Sequence, residues 1–207
     1  METVNKIQEA SQSEVSAAES PSLEGFGEAR GAVQIIPYKA EHAYHFERLN
    51  KAWIEKYFWL EETDKWVLEN PHNAILAKGG AILMATYNGS VAGTVALKKV
   101  SDDIYEFTKM AVDETYQRRG IAEALSYAAF EKARMLGAKK VILYSNRVLT
   151  PAIRMYHKLG FTEVPIEKDS VYQRSDIKME IDLASLLQAG DGNHATTKIG
   201  EQNFTTI

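Results

Sequence analysis

The six residues at positions 117–122, with the sequence QRRGIA, combine the features of an anion-binding turn. A strand pattern precedes them and an amphipathic helix pattern follows, so they fall at the start of a helix. The first N–H groups of a helix lack partners within it, and the helix dipole is positive there. Gly120 lets the main chain come close to a ligand, because it has no Cβ, while Arg118 and Arg119 add positive charge. These residues predict a phosphate or pyrophosphate site.

The context of this turn is more specific than the turn itself. A glycine-containing turn with solvated arginines would explain the six residues equally well. The residues that follow keep one apolar helical face until Gly137 supplies a stop signal. This face consists of Ile121, Leu125, Ala128, Ala129, Ala133 and Leu136.

Composition limits the classes of function. The chain has 207 residues and a formal net charge of -4, which does not favour general capture of nucleic acid. It contains no cysteine, so an acyl transfer would need another nucleophile or a direct passage from donor to acceptor. No apolar run is long enough to span a bilayer, and no secretory signal is evident, so we expect a cytoplasmic protein without membrane contacts. His42 and His45 share a helical face, but no further ligands lie near them, and we expect no metal.

The order of patterns predicts one domain with two tails. Residues 1–32 are rich in Ser, Ala and Glu and predict a disordered N-terminal tail. Residues 33–187 read as a strand, two helices, three meandering strands, a helix, a strand, a helix and a strand pair. Asn88-Gly89 predicts a tight hairpin within the meander. Residues 188–207 are polar and form either a tail or an added strand.

Three segments in this order resemble the GNAT superfamily of N-acetyltransferases. They are YEFTKMAV, QRRGIA and SNRVLTPAIRMYHKLGF, and the resemblance covers roughly residues 33–187. It implies an α/β (α+β) fold with a mixed, mostly antiparallel central sheet and helices on both faces. It also implies two splayed strands, here Ile104–Val112 and Lys140–Ser145, with acetyl-coenzyme A (acetyl-CoA) as the donor that enters between them.

The resemblance further implies which residues contact acetyl-CoA. The main chain of Met110, Ala111 and Val112 would bind the pantetheine arm, although a plain core strand explains these side chains equally well. Asn146 would contact the cofactor, or it is a polar loop residue. The pyrophosphate would be held by Gln117, Arg118, Arg119, Gly120, Ile121 and Ala122, where Ala122 stands in place of the glycine that many members have.

Two side chains are candidates for catalysis. Acetyl transfer to an amine needs removal of a proton from the amine and supply of a proton to the departing thiolate. The resemblance implies that Tyr156 is the proton donor. Helical spacing alone instead favours an aromatic side chain packed in the core. Glu106 is the candidate base, and strand alternation would place it on one face with Thr108 and Met110. A structural carboxylate is an equal alternative for Glu106, because some relatives deprotonate through water.

The acceptor site is predicted from acidic and aromatic residues in two segments. Glu61, Glu62 and Asp64 lie close together and could receive a cationic amine, or they favour a helix start through its dipole. Tyr172 lies in the segment that the family uses to shape the acceptor site. We expect a small-molecule or peptide amine as acceptor, and a monomer or homodimer. Two alternatives remain, a non-catalytic domain that senses acyl-CoA and a nucleotide-binding module.

Overall fold

The computed structural model describes residues 31–167 and 172–188. The tails predicted at residues 1–32 and 188–207 lie outside these ranges, apart from residues 31, 32 and 188. Within them, no helix combines the length and the apolar character that crossing a bilayer requires. The strands are β1 (Val33–Pro37), β2 (Ala81–Tyr87), β3 (Ser90–Lys99), β4 (Ile104–Val112), β5 (Lys140–Ser145), β6 (Thr162–Val164) and β7 (Ile177–Asp182). The helices are α1 (Ala43–Tyr57), α2 (Glu62–Glu69), α3 (Pro71–Ala74), α4 (Ile121–Met135), α5 (Thr150–Lys158) and α6 (Ser185–Gln188).

The strands form a single seven-stranded sheet in the order β1-β2-β3-β4-β5-β7-β6. All neighbours are antiparallel except the central pair β4 and β5, which is parallel. Asn88 and Gly89 join β2 to β3 with φ values of 51° and 83°, the left-handed conformation that a tight hairpin turn requires. The mixed, mostly antiparallel sheet predicted from the sequence is therefore confirmed.

Helices cover both faces of the sheet, and each face has its own apolar core. On one face α4 and α5 pack over the sheet, with Leu125, Phe130 and Phe107 buried among them. On the other face α1, α2 and α3 bury Phe46, Leu68 and other apolar side chains against the sheet. The apolar stripe of α4 was predicted correctly, except that Phe130 was left out of it.

A bulge in β4 changes which side chains share a face. Thr94 pairs with Ala111 and Ala96 pairs with Thr108, so one residue of β3 opposes two residues of β4. Lys109 adopts a φ of 51° there, and the side chain of the next residue, Met110, turns towards α4. The prediction that Met110 shares a face with Glu106 was therefore wrong, because strict alternation fails at a bulge.

Glu61 occupies the cap position at the start of α2, and its backbone N–H donates to Asp64 Oδ2 at 3.3 Å. This helix ends at Glu69. Pro71 then begins the short helix α3, where its missing N–H has no cost.

Candidate functional site

The central strands part in the middle of the sheet. β4 and β5 pair only at Ile104–Lys140, Tyr105–Val141 and Glu106–Ile142, and then they diverge. A cleft opens at this point, and both strands and α5 contribute to its walls. The predicted splayed pair is thus present. The walls of the cleft include Trp53, Phe58, Glu106, Lys109, Tyr144, Asn146, Tyr156, Tyr172 and Arg174.

The anion-binding turn lies beyond the other end of β4. Arg118 and Gly120 have φ values of 60° and 77°, and Gly120 occupies the N-cap position of α4 without a side-chain hydrogen bond to that cap. A Cβ built on Gly120 would meet no atom within 4 Å, so open space lies in front of it. The residues at the start of α4 line a groove, and the first N–H groups of a helix can bind an anion such as a diphosphate.

This groove continues between α4 and α5. Its walls include Val112, Gln117, Ile121 and Ala122 from the predicted cofactor-binding set. Arg154 and Lys158 of α5, which were not singled out in the sequence, form the opposite wall. Lys158 Nζ lies 3.1 Å from Glu123 Oε1 and so joins the two helices across the groove.

Three predicted cofactor residues have constraints that the sequence did not show. Ala111 and Ile121 are buried, so their contribution to binding would come from the main chain. Arg119 folds back from the groove, because its NH1 donates to the hydroxyl of Tyr87 at 2.9 Å and its guanidinium covers the Tyr87 ring. Arg118 is thus the turn arginine that lines the groove.

Asn146 is held by protein partners at both ends of its amide. Its Nδ2 donates to the carbonyl oxygen of Arg174 at 2.6 Å, and its Oδ1 accepts from the N–H of Val148 at 3.0 Å. The residue lines the cleft. Its side chain therefore shapes the cleft wall, and a contact with the cofactor stays a prediction.

Glu106 is buried at the point where the strands part. It is 4% exposed, and its Oε1 accepts the hydroxyl of Tyr172 at 2.6 Å. Lys98 Nζ lies 3.7 Å from its Oε2. Burial and then the charge of Glu106 raise the pKa of Tyr172 well above its ordinary value, so this hydroxyl stays protonated and donates. The structure thus brings together a predicted base and a residue predicted for acceptor binding.

Tyr156 contributes to the same cleft from α5. Its ring meets those of Phe107 and Phe161 edge-on, at centroid distances of 6.2 and 5.8 Å. Removal of the phenol from water raises the pKa of Tyr156 to about 12. The residue is therefore both a packed aromatic and a protonated phenol at the cleft.

The predicted acidic acceptor residues divide into two environments. Glu62 is exposed on α2, where it pairs with Lys65, and it does not line the cleft. Glu61 is largely buried, and its Oε1 lies 3.4 Å from NH1 of Arg174. Arg174 lines the cleft, so the structure brings Glu61 near the cleft but not Glu62.

The sequence grouped Asp64 with Glu61 and Glu62 but did not show which residues it contacts. Its carboxylate is buried and contacts both Lys109 and Arg174. Only its place beside Glu61 and Glu62 was visible, because its partners are 45 and 110 positions away.

His42 and His45, for which no metal was expected, both contact residues that are near them in the sequence. His42 Nδ1 accepts the backbone N–H of Lys39 at 2.9 Å, and the ring of His45 packs against Tyr44. Within residues 31–167 and 172–188, no group of three or more His, Asp or Glu side chains could hold a metal ion.

Comparisons with known proteins agree with this geometry. The sequence profile of the Acetyltransferase (GNAT) family matches residues 39–161, more than half of the 207-residue chain. A mycothiol acetyltransferase from Corynebacterium glutamicum is 29% identical over 123 residues, which cover 58% of this chain and 41% of the relative. An N-acetylaspartate synthetase from Xenopus tropicalis is 32% identical over 89 residues, covering 42% and 33%. The chain thus spans less than half the length of these two relatives.

A solved structure shares the fold. An acetyltransferase from Salmonella typhimurium, solved with its cofactor acetyl-CoA, superposes with a TM-score of 0.61 at 19% sequence identity. The superposition covers 73% of this chain and 94% of that one. The family profile and the shared fold, together with the split sheet, show that this chain belongs to the GNAT family of acetyltransferases.

Proposed function

We propose that the protein transfers an acetyl group from acetyl-CoA to a primary amine of a small molecule or peptide, directly within a ternary complex. One observation supports this proposal above the others. The cleft between β4 and β5 combines a buried carboxylate with a protonated phenol, and β4 leads from that cleft to the anion-binding turn.

The turn and the groove would bind the donor. The N–H groups at the start of α4, with Arg118 beside them, would hold a diphosphate. Arg154 and Lys158 would add positive charge on the α5 side. The donor supplies an activated acetyl thioester, and the divergence of the strands leaves room for its arm along the main chain of Met110, Ala111 and Val112.

Glu106 and Tyr156 would move the two protons of the reaction. Glu106 would take a proton from the amine, either at Oε2 or through the Tyr172 hydroxyl that already occupies Oε1. Tyr156 would offer its phenolic proton to the departing sulfur. The absence of cysteine from the chain agrees with direct transfer, because no thiol is present to carry the acetyl group.

The acceptor would enter on the side of α1, α2 and the segment that contains Tyr172. Its walls there are aromatic, with Trp53, Phe58 and Tyr144 among them, and they carry the charged side chains of Lys109 and Arg174. Small-molecule acceptors would agree with the names of the two relatives, which refer to mycothiol and to N-acetylaspartate.

A thiol-release screen tests the proposal. The purified chain is mixed with acetyl-CoA and with amino acids, polyamines, aminoglycosides or peptides, and mass spectrometry follows the acetylated product. We expect amine-dependent release of coenzyme A and a product that is heavier by one acetyl group. Binding of acetyl-CoA, seen as a thermal shift, without release by any amine would instead favour the acyl-CoA-sensing alternative.

A further inference from the structure

Asp64 joins three parts of the chain that are distant in sequence. It lies in α2, its side chain is 1% exposed, and its Oδ1 accepts Lys109 Nζ of β4 at 2.7 Å. Arg174, in the segment before β7, donates from NH1 to Oδ2 at 2.5 Å and from NH2 to Oδ1 at 3.0 Å. This bidentate contact fixes the guanidinium in both distance and orientation.

The contact with Arg174 also fixes the segment that carries Tyr172. The carbonyl oxygen of Arg174 accepts Asn146 Nδ2 at 2.6 Å, and its guanidinium lies 5.8 Å from the centre of the Phe58 ring. Tyr172 lies two residues earlier, and its hydroxyl donates to Glu106 Oε1. A path of direct contacts therefore runs from Asp64 through Arg174 and its short segment to the carboxylate of Glu106.

The contact with Lys109 holds the other side of the cleft. Lys109 keeps a left-handed backbone, which is unfavourable for a residue with a side chain, within the bulge of β4. The following residue, Met110, lines the cleft. Asp64 thus contacts both the bulge and the segment that carries Arg174.

We propose that Asp64 is a positioning residue for acetyl transfer, which acts by holding Arg174 so that Tyr172 stays hydrogen-bonded to Glu106. This inference rests on the proposed function of Glu106 as the base. Asp64 itself does not line the cleft. It acts on the reaction through the hydroxyl of Tyr172, which donates a hydrogen bond to Glu106.

Several charged and titratable groups surround the two carboxylates. Glu106 faces Lys98 of β3 and Tyr172, and Tyr144 of β5 lies within electrostatic range of it. Asp64 faces Lys109 and Arg174, and Glu61 is adjacent through Arg174. Replacing Asp64 therefore removes a charge as well as the contact that holds Arg174, so the test uses variants that separate these two effects.

The first measurement follows the chemical shift of the Glu106 carboxyl carbon by NMR at neutral pH in protein labelled with ¹³C at Glu, with Glu106→Gln identifying its signal. Tyr172→Phe removes the hydroxyl, and we expect that chemical shift to change because the carboxylate loses a hydrogen bond. We expect Asp64→Asn to change it in the same direction. The double variant Asp64→Asn with Tyr172→Phe should change it no further than Tyr172→Phe alone, because both changes remove the same hydrogen bond.

Two further variants control for misfolding and for the change in charge. Arg174→Lys conserves charge but cannot make the bidentate contact, so we expect the chemical shift of Glu106 to change in the same direction in this variant. Glu69→Gln removes one negative charge from an exposed position on the same helix and should leave that chemical shift unchanged. Thermal unfolding of each variant shows which of them are folded.

Steady-state kinetics with the amine that reacts fastest in the screen provide an independent test. We expect Asp64→Asn and Arg174→Lys to lower kcat/KM for the amine about tenfold while KM for acetyl-CoA stays within about twofold. A chemical-shift change in Asp64→Asn opposite to that in Tyr172→Phe, no change in Arg174→Lys, or additive changes in the double variant would overturn the proposal. The NMR result does not depend on turnover, so it fails or succeeds separately from the proposed function.

Discussion

Tyr156 is the side chain in which packing and chemistry are most closely combined. Its ring lies between Phe107 and Phe161, and its raised pKa of about 12 keeps the phenol protonated at neutral pH. Helical spacing alone favoured packing, while the resemblance favoured a proton donor. The structure shows the packing and places Tyr156 on the wall of the cleft, and its role as a proton donor stays a prediction. The two roles are compatible, because one face of a ring can pack while its hydroxyl remains available.

Replacing Tyr156 with Phe separates these two roles. The ring packing would persist, so we expect little change in the unfolding temperature and in the affinity for acetyl-CoA. Loss of the proton donor should reduce kcat by roughly 100-fold. Steady-state kinetics and a thermal-shift titration with acetyl-CoA provide the two measurements. Full turnover in this variant would show that Tyr156 is only a packed aromatic.

Glu106→Gln tests the base. The buried carboxylate would be replaced by an amide of nearly the same shape, so the change removes ionisation with little loss of packing. We expect kcat/KM to fall about 100-fold and the acidic limb of its pH profile to disappear. A variant that retains the wild-type acidic limb would exclude Glu106 as the base and favour deprotonation through water.

At the scale of elements, the bulge in β4 marks the limit of what the sequence could predict. The bounds of β4 were predicted correctly from its apolar pattern. The bulge was not, because its left-handed residue is Lys109 and not the glycine that would signal such a backbone. Its position depends on contacts with Asp64 from a distant helix, which no local pattern records.

The turn before α4 was predictable because its signal is local. Gly120→Ala would place a methyl group in the open space of the groove and would strain a backbone with a φ of 77°. We expect acetyl-CoA to bind about tenfold more weakly, or by about 1.4 kcal/mol. Isothermal titration calorimetry measures this affinity.

Gly89→Ala is the matched control for that substitution. Gly89 has a φ of 83° and equally open surroundings, but it lies in the β2–β3 hairpin. Both variants should lose about 1 kcal/mol of stability from backbone strain. Only Gly120→Ala should lose affinity, and equal affinities in the two variants would argue against a ligand at the turn.

For the whole molecule, the order of elements and the fold class were predictable from the sequence, whereas the buried charges were not. Periodicity and the hairpin signal are local, so they predicted the strands and the main helices, and the resemblance to the GNAT superfamily implied the sheet. The contacts of Asp64 with Lys109 and Arg174 join residues that only the folded chain brings together. The cleft next to Arg174 therefore depends on long-range pairing that sequence patterns could not show.

These buried charges predict a dependence of stability on pH. Burial alone would raise the pKa of Asp64, but hydrogen bonds from Arg174 and Lys109 outweigh it and lower the pKa below its ordinary value of 3.8. The folded state thus holds Asp64 ionised where the unfolded chain binds a proton, so its contribution is present above pH 3.8 and is lost as the pH falls below it.

Urea unfolding of the wild type and of Asp64→Asn between about pH 7 and pH 3 measures this contribution. We expect the difference in unfolding free energy between them to shrink at the acidic end. A difference that stays constant over the whole range would mean that the ionisation of Asp64 does not contribute to stability.

The short pairing between β4 and β5 makes the sheet two half-sheets joined by three residue pairs, with β1, β2 and β3 beyond β4 on one side and β7 and β6 beyond β5 on the other. A bound pantetheine arm would lie where the missing rungs of the ladder belong, so the ligand would complete the sheet much as an added strand does. Acetyl-CoA should therefore slow amide hydrogen exchange in the second half of β4 and stiffen the joint between the two half-sheets. Binding of acetyl-CoA would then supply part of the rigidity of the catalytic state.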